Sequence, residues 1–439
     1  MESGQVKTSI GIKMLIIGGL VFLLLIPSFM IHFIIYEREN RRREVLRDIT
    51  SKWGEVQQIT GPVMSIPVEY LQKDNYGNSK TCIRFIYLLP DSVSFQGNLI
   101  PEVRYRGIYQ IMLYNSGLEV TGNFNLNNLK DLNLKDGTIQ YKEAMLEFAV
   151  SDLKGVTEPI QMKWNGQNYD AEAGIVNCTT LQKGFHMKSP LAPDLQNYPF
   201  TFDLHLNGSE EIRFTPIGKQ TQAAIAADWQ HPSFTGSFLP KTRNILENKF
   251  TAEWTVLNLN RNLPQVSFDA PFAFDWTYFG VQLFYPVDQY QKTTRTVKYA
   301  IMFISLTFLA FFLIEVLSRK LLHPIQYLLV GLGLILFYIL LLSLAEHFSF
   351  PLAYLLSSIG LILLISLYSK AILHDSRFMF FIAGILSLLY GFLYVNLQLQ
   401  DYALLLGSLG LFIILAVVMY ITRNINWYTV LKTEGKQTR

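Results

Sequence analysis

Apolar residues are concentrated in two parts of the chain, one near the N-terminus and one in the last third. The first part is residues 14–36, an apolar run interrupted only by small residues, one proline and one histidine. About 20 helical residues cross the hydrocarbon core of a bilayer, so this run is long enough to span it. It is longer than the apolar core of a secretory signal and ends without a small-residue cleavage site. We therefore predict an uncleaved signal anchor.

The last third contains further apolar segments that are separated by short polar interruptions. The predicted spans are residues 299–317, 325–345, 351–369, 378–397 and 403–422. Each is close to the length that a membrane-spanning helix needs. Between the first span and these lie roughly 260 residues of ordinary globular composition, enough for one large domain or two small ones.

The middle region shows an alternation of apolar and polar residues. Phe202, Leu204 and Leu206 alternate with polar residues, and residues 250–256 follow the same pattern. A period of two indicates strands with one buried face and one wet face, as in antiparallel sheets. Turn-forming sequences separate the runs, at residues 75–78, 115–117, 135–137, 165–166 and 207–208. The sequence therefore predicts an α+β membrane protein: about six transmembrane helices, with a large β-rich extracytoplasmic domain between helices 1 and 2.

The short loops between the distal spans differ in their positive charge. The loops at residues 346–350 and 398–402 contain no Lys or Arg. The alternate loops and the C-terminal segment contain Arg319, Lys320, Lys370, Arg377, Arg423, Lys432, Lys436 and Arg439. Basic loops stay in the cytoplasm, so both termini are predicted to be cytoplasmic. The Arg-rich segment 37–44 conflicts with this orientation, and we interpret it as a solvated helical stalk rather than a lipid-binding patch.

Charge and cysteine content add little about partners. The net charge of +3 gives no reason to expect nucleic acid as a partner. The two cysteines, Cys82 and Cys178, both lie in the middle region. In an oxidising compartment they could form a disulfide, and they could equally be two unrelated thiols.

The search for catalytic motifs is negative. The sequence contains no His-Glu-x-x-His zinc motif, no phosphate-binding Gly-Lys-Ser/Thr loop and no Gly-x-Ser-x-Gly elbow. Ser151-Asp152-Leu153-Lys154 matches Ser-x-x-Lys, but it lacks the companion motifs and so short a pattern arises often by chance. We predict no catalytic residue, no cofactor and no metal site.

Polar residues within or beside the spans are the better candidates for function, because they are costly in a membrane. Glu315 lies inside a predicted span, and Arg319 follows it at helical i,i+4 spacing. An ion pair near the interface explains both residues, and a proton-coupling carboxylate is the alternative. Glu346 and His347 lie at the other end of a helix, where they are either solvated end residues or a proton-sensing pair.

Several motifs of the chain are specific when taken together: Ser51-Lys52-Trp53-Gly54, Thr60-Gly61-Pro62-Val63, Tyr105-Arg106-Gly107-Ile108-Tyr109, the segment 229–236 and the block from Phe279 to Tyr327. With these motifs the chain resembles, from about residue 14 to residue 428, the CreD family of inner-membrane proteins, also called cell envelope integrity proteins. It implies the inner membrane of a Gram-negative cell, a periplasmic middle domain and a link to envelope stress, with colicin tolerance in the family's naming. It supplies no catalytic mechanism and no defined ligand.

The sequence and the resemblance together predict a domain order and a function. The predicted order is a cytoplasmic tail (1–13), helix 1 (14–36), a periplasmic domain with a stalk (37–298), a five-helix bundle (299–422) and a cytoplasmic tail (423–439). The predicted function is that of a non-enzymatic envelope integrity or stress-response protein. Its periplasmic domain would bind an envelope protein or a cell-wall component, and its helices would contact the lipid bilayer. The alternative is a proton-coupled transporter or lipid-handling protein.

Overall fold

A computed structural model divides the chain into two compact units. The membrane unit comprises residues 1–42 and 287–439, and the β-rich unit comprises residues 43–286. The structure describes residues 10–423 except residues 74–78, 130–131, 133, 135–136, 275–276, 284–288, 319, 321 and 400–401. Among the described residues, 6 helices are long and apolar enough to cross a membrane. The fold class is thereby confirmed: six apolar spans, with a β-rich region between the first helix and the rest.

The helices follow the predicted spans closely, with one addition. They are α1 (Ile10–Trp53), α2 (Gln289–Lys298), α3 (Ala300–Ser318), α4 (Pro324–Ala345), α5 (Phe350–Leu373), α6 (Ser376–Gln398) and α7 (Ala403–Thr422). Helix α1 continues without a break through the predicted stalk, which is therefore helical. Helix α2 was not predicted and lies in the region that the sequence analysis gave to the β-rich domain.

Within the membrane unit, small and aromatic residues bring the helices together. The ring of Phe337 on α4 lies 4.7 Å from that of Tyr390 on α6 and 5.7 Å from that of Tyr354 on α5, measured between centroids. Gly331 on α4 leaves room for Leu24 of α1 and Phe308 of α3, which pack directly against it. Because a bilayer supplies no hydrophobic force between helices, such close packing is what holds them together.

The β-rich unit contains the strands of the chain. They are β1 (Gln57–Lys73), β2 (Ser79–Leu88), β3 (Ser92–Arg106), β4 (Tyr109–Asn125), β5 (Gly137–Ile139), β6 (Met145–Val150), β7 (Gln161–Trp164), β8 (Gln167–Asp170), β9 (Glu172–Ala173), β10 (Gly184–Lys188), β11 (Asn197–Ser209), β12 (Glu211–Phe214), β13 (Gln220–Ala227), β14 (Pro232–Gly236), β15 (Thr242–Ile245), β16 (Phe250–Leu257), β17 (Val266–Phe268) and β18 (Phe279–Leu283). One sheet has the order β14-β18-β12-β1-β6-β10-β9, with β2, β5 and β17 joined beside it. The other has the order β15-β16-β13-β3-β4-β11-β7-β8.

Aromatic side chains join the two sheets into a sandwich with a hydrophobic core between them. Phe148 of β6 meets Phe202 of β11 with ring centroids 4.8 Å apart, and Trp254 of β16 meets Phe279 of β18 at 5.7 Å. The alternating residues that predicted β11 and β16 point into this core, since Phe202, Leu204, Leu206 and residues 250, 252, 254 and 256 are all buried. The period of two identified the buried faces correctly.

The turn predictions have mixed outcomes. A tight turn at Asn165-Gly166 joins β7 to β8, with φ of 45° and 85°, as predicted. The turns predicted at 115–117 and 207–208 are wrong, because both segments lie inside paired strands, β4 and β11. Gly208 leaves space there for the ring of Tyr114, so this glycine serves packing rather than a turn. The predictions at 75–78 and at residues 135–136 lie outside the described residues.

Candidate functional site

Glu315 lies in the interior of the membrane unit and is bound by three other segments. Its carboxylate forms an ion pair with the Lys13 ammonium of α1. The Tyr327 hydroxyl of α4 donates to Glu315 Oε2 at 2.9 Å, and the Leu322 backbone N–H donates to Oε1 at 3.0 Å. The carboxylate therefore ties α1, the α3–α4 connection and α4 to α3. A buried charge is tolerable in such a site because every group around it is a donor.

The predicted partner of Glu315 was Arg319. Arg319 lies outside the described residues, so that pairing stays a prediction. The observed partners come from other segments, and Lys13 is the cation that neutralises the carboxylate in the described part of the chain.

Glu346 is the residue that follows α4, and it forms a second polar contact with α1. Nε of the Arg38 guanidinium lies 3.7 Å from Glu346 Oε1. The Tyr290 hydroxyl of α2 donates to the same oxygen at 3.2 Å. Glu346 therefore joins three helices, although Arg38 is half exposed and its ion pair is correspondingly weak.

His347 does not take part in this contact. It is exposed, and within the described residues its ring forms no hydrogen bond or ion pair. The structure thus brings Glu346 together with Arg38 and Tyr290, and does not bring the Glu346 and His347 side chains together. The proposed proton-sensing role of the two residues stays a prediction.

These two contacts hold α1 at two levels. Between them, Leu24, Ser28, Ile31 and Ile35 form a narrow buried stripe on a helix that is otherwise largely exposed. Sequence reasoning missed the partners Lys13 and Arg38. Each acid needs a cation at its own depth, but the antiparallel order of the helices, which selects these two flanking residues, is not visible in the sequence.

In the β-rich unit, the Ser-x-x-Lys match does not form a catalytic pair. The Ser151 hydroxyl donates to Val56 O at 2.7 Å, and the Lys154 ammonium donates to Ser51 O at 3.1 Å. Ser151 also lines an open cleft of about 260 Å³ with Gln58, Thr60, Ala149, Val150, Gln182 and Lys183. No group of three or more His, Cys, Asp or Glu residues suited to a metal occurs among the described residues.

The two cysteines are free thiols in the structure. Cys178 is buried, and burial raises its pKa above the ordinary value. Its neighbours include Tyr87, whose hydroxyl donates to Asn177 O at 3.0 Å. Burial, with smaller contributions from the negative charges of Cys178, Glu147 and Asp269, raises the pKa of Tyr87 to about 12. Cys82 lies on β2 and is partly exposed.

The edge strand β15 is an exposed part of the β-rich unit. All four of its residues are exposed, and it pairs on one side only, with β16. Large apolar side chains at the ends of this hairpin are also exposed: Leu239 (75%), Leu246 (58%), Leu257 (45%) and Leu259 (90%). A free strand edge beside exposed apolar residues is a surface to which another chain can add a strand.

Comparison with known proteins decides the family. A family model described as "Inner membrane protein CreD" matches residues 9–428. The chain is also 34% identical over 435 residues to the inner membrane protein CreD of Escherichia coli (strain K12), covering 97% of this chain and 95% of the relative. This chain belongs to the CreD family.

Membership of the CreD family makes the chain a multi-pass inner-membrane protein of the cell envelope. Its six apolar helices are in contact with the lipid bilayer. The polar contacts of Glu315 and Glu346 are therefore intramembrane and interfacial features of a CreD-family protein.

Proposed function

We propose that this chain is a non-enzymatic envelope protein whose β-rich unit faces the periplasm and binds an extended segment of an envelope partner. Both termini would lie in the cytoplasm, as the basic residues of the short loops predict. The helices would anchor the binding unit in the inner membrane. Membership of the CreD family supports the location in the envelope.

The exposed edge of β15 carries this proposal. In a hairpin, N–H groups alternate between facing the partner strand and facing away from it. Leu246 N–H donates to Lys249 O, so the N–H groups of Arg243 and Ile245 face away from β16. These groups and the carbonyls beside them are free to pair with an added strand. Lys241, Arg243 and Lys249 are exposed there and favour a partner segment with acidic side chains.

The opposite edge of the same sheet provides a contrast. Strand β8 also pairs on one side only, and Ala171 N–H donates to Ile160 O. By the same alternation, Asn168 N–H faces away from β7. However, the exposed residues of β8 are polar, namely Gln167, Asn168 and Asp170. The apolar residues distinguish the β15 edge as the favoured docking site.

The test is photocross-linking in intact cells with a reactive residue in place of Leu246. The protein that carries only this replacement should yield a discrete adduct with an envelope protein. Arg243→Pro should remove most of that adduct, because proline lacks the outward N–H and its ring blocks the edge. The hydrogen bonds between β15 and β16 do not use that N–H, so the fold should persist.

Two control variants make the result specific. Asn168→Pro makes the same change at the opposite edge and should leave the adduct unchanged. Arg243→Gln removes the charge alone and should reduce the adduct less than proline does. Equal adduct yields from Arg243→Pro and Asn168→Pro would contradict the proposal. Turnover of a lipid or cell-wall substrate by the purified protein would contradict its non-enzymatic part.

A second candidate function is proton-coupled transport or lipid handling, and one observation favours it. Glu315 is 5% exposed within a membrane-spanning helix, which is where a coupling carboxylate would lie. Buried polar groups also occur among α4–α6, including Tyr338, Tyr354, Tyr390 and Asn396.

This second candidate is tested with protein reconstituted in liposomes. The protein should move protons across the bilayer, and Glu315→Gln or Glu346→Gln should abolish that flux. Glu119→Gln, which changes an exposed acid of the β-rich unit, is the control. Unchanged flux in both membrane variants would remove this candidate.

A further inference from the structure

Helix α2 lies directly before the membrane-spanning helix α3, and this position fixes its depth in the membrane. Lys13 of α1 forms an ion pair with Glu315 near one end of α3. At the opposite end of the helices, Arg38 of α1 and Tyr290 of α2 both contact Glu346. Residue numbers rise along α1 as they fall along α2–α3, so the two run in opposite directions. Lys298, the last residue of α2, lies two residues before Ala300, the first residue of α3.

This register places Lys298 at a membrane interface. At 1.5 Å per residue, about 20 helical residues cover the thickness of the hydrocarbon core. Counted back from Ser318, the last residue of α3, that distance ends at Lys298. The headgroup region adds roughly 5–7 Å on each side, which is about one helical turn. Arg295, one turn before Lys298, therefore lies at the depth of the lipid phosphates.

Two basic residues of α2, Arg295 and Lys298, lie on its accessible side. Thr293, Thr296 and Val297 are buried against the membrane unit, whereas Lys298 is exposed and Arg295 is partly exposed. Within the described residues, Arg295 and Lys298 form no ion pair. Glu346, an acid at this end of the helices, is already engaged by Arg38 and Tyr290. Two adjacent cations at phosphate depth thus lack an anion.

We propose that Arg295 and Lys298 bind the phosphate of an anionic phospholipid in the leaflet at the Glu346 end of the membrane unit. Arginine offers two parallel N–H donors that match phosphate oxygens, and lysine adds a second charge. The pair carries two positive charges, so a lipid with net negative charge is preferred over a zwitterionic one. The acyl chains of that lipid would lie along the exposed apolar surfaces of the helices, which a free phosphate cannot contact.

The test measures the melting temperature of the purified full-length protein in detergent with added phosphatidylglycerol, phosphatidylcholine or inorganic phosphate. Phosphatidylglycerol should raise it in a saturable manner, and the other two should not. Equal effects of phosphatidylglycerol and phosphatidylcholine would overturn the preference for an anionic lipid. Equal effects of phosphatidylglycerol and inorganic phosphate would overturn the lipid as the ligand.

Variants then locate the site. Arg295→Gln with Lys298→Gln should weaken the apparent phosphatidylglycerol affinity by about tenfold or more. The matched control, Lys142→Gln with Lys163→Gln, removes the same charge from exposed positions of the β-rich unit and should leave the affinity unchanged. An undiminished response of the α2 variant would overturn the proposal.

A measurement on the wild-type protein covers the case in which the α2 variant does not fold. A photoactivatable phosphatidylglycerol should cross-link to the peptide that contains residues 289–300, and excess unlabelled phosphatidylglycerol should compete with it. Cross-links spread evenly over the spans, with none enriched at this peptide, would overturn the proposal.

Discussion

Two buried glutamates, one in each unit of the molecule, solve the same electrostatic problem differently. Glu147 on β6 is 0% exposed, and its Oε1 accepts the backbone N–H groups of Val176 and Asn177 at 2.7 Å each. Its Oε2 accepts the N–H of Cys178 at 3.0 Å. Glu315 is 5% exposed and depends on one backbone N–H and two side chains, those of Lys13 and Tyr327.

The difference follows from the backbone around each carboxylate. A loop such as 176–178 leaves N–H groups without partners in the secondary structure, so it can surround a carboxylate by itself. A membrane-spanning helix uses its own N–H groups internally, so a carboxylate there must be satisfied by side chains of other helices. A buried acid in the β-rich unit therefore fixes a local loop, whereas a buried acid in the membrane unit joins distant segments.

Glu147→Leu gives the largest effect that we expect. The substitution leaves three N–H groups without an acceptor, of which that of Cys178 is buried, and we expect it to destabilise the β-rich unit by about 4 kcal/mol. Thermal unfolding of the full-length protein and protease cleavage within residues 175–181 measure the loss. Glu119→Leu, at an exposed position of β4, is the control and should change little. A similar small change in both variants would show that the loop does not depend on Glu147.

Lys13 and Glu315 test the other half of the comparison. Glu315→Leu leaves the Lys13 ammonium without its counter-charge, and Lys13→Met does the same to the Glu315 carboxylate. Each single change should therefore destabilise the membrane unit by about 2 kcal/mol. The double variant removes both charges and should recover a large part of the loss. A double-mutant cycle on thermal unfolding in detergent measures this coupling.

A structural readout separates α1 attachment from overall stability. Cysteines at Leu24 and Gly331, which pack directly against each other, should form a disulfide efficiently in an otherwise cysteine-free protein. Lys13→Met should lower the rate of this cross-link, and the double variant should restore it. Additive losses and an unchanged cross-linking rate would mean that the ion pair does not position α1.

The spans were predictable from sequence because each is an apolar run of about the length that crosses the hydrocarbon core. Helix α2 was not, because its ten residues are polar and basic and its burial depends on neighbours far away in the sequence. The false turns at 115–117 and 207–208 have a similar cause. Glycine marks turns in general, but Gly208 is required by the ring of Tyr114 on the adjacent strand.

The candidate site was predictable in its acids and not in their partners. Glu315 and Glu346 stand out because charge is rare near spans. Lys13 and Arg38 look like ordinary flanking residues until the antiparallel register of the helices is known. Glu147 could not be identified from the sequence, because its partners are backbone N–H groups. Nearly every residue type has such a group, so the sequence does not mark these partners.

Tyr87 provides the smallest and most specific test of the loop that Glu147 holds, because its hydroxyl donates to Asn177 O in that loop. Burial raises the pKa of Tyr87 to about 12. An unfolded tyrosine ionises near pH 10, so folded-state stability is complete below pH 10 and declines as the pH rises toward 12. At pH 11 the loss should be about 1 kcal/mol relative to pH 7.

The variant Tyr87→Phe should lower the stability at pH 7 but make the stability less dependent on pH between 9 and 11. The control Tyr105→Phe, at an exposed position, should leave the pH profile unchanged. Parallel pH profiles for wild type and Tyr87→Phe would show that the phenol does not ionise differently on unfolding.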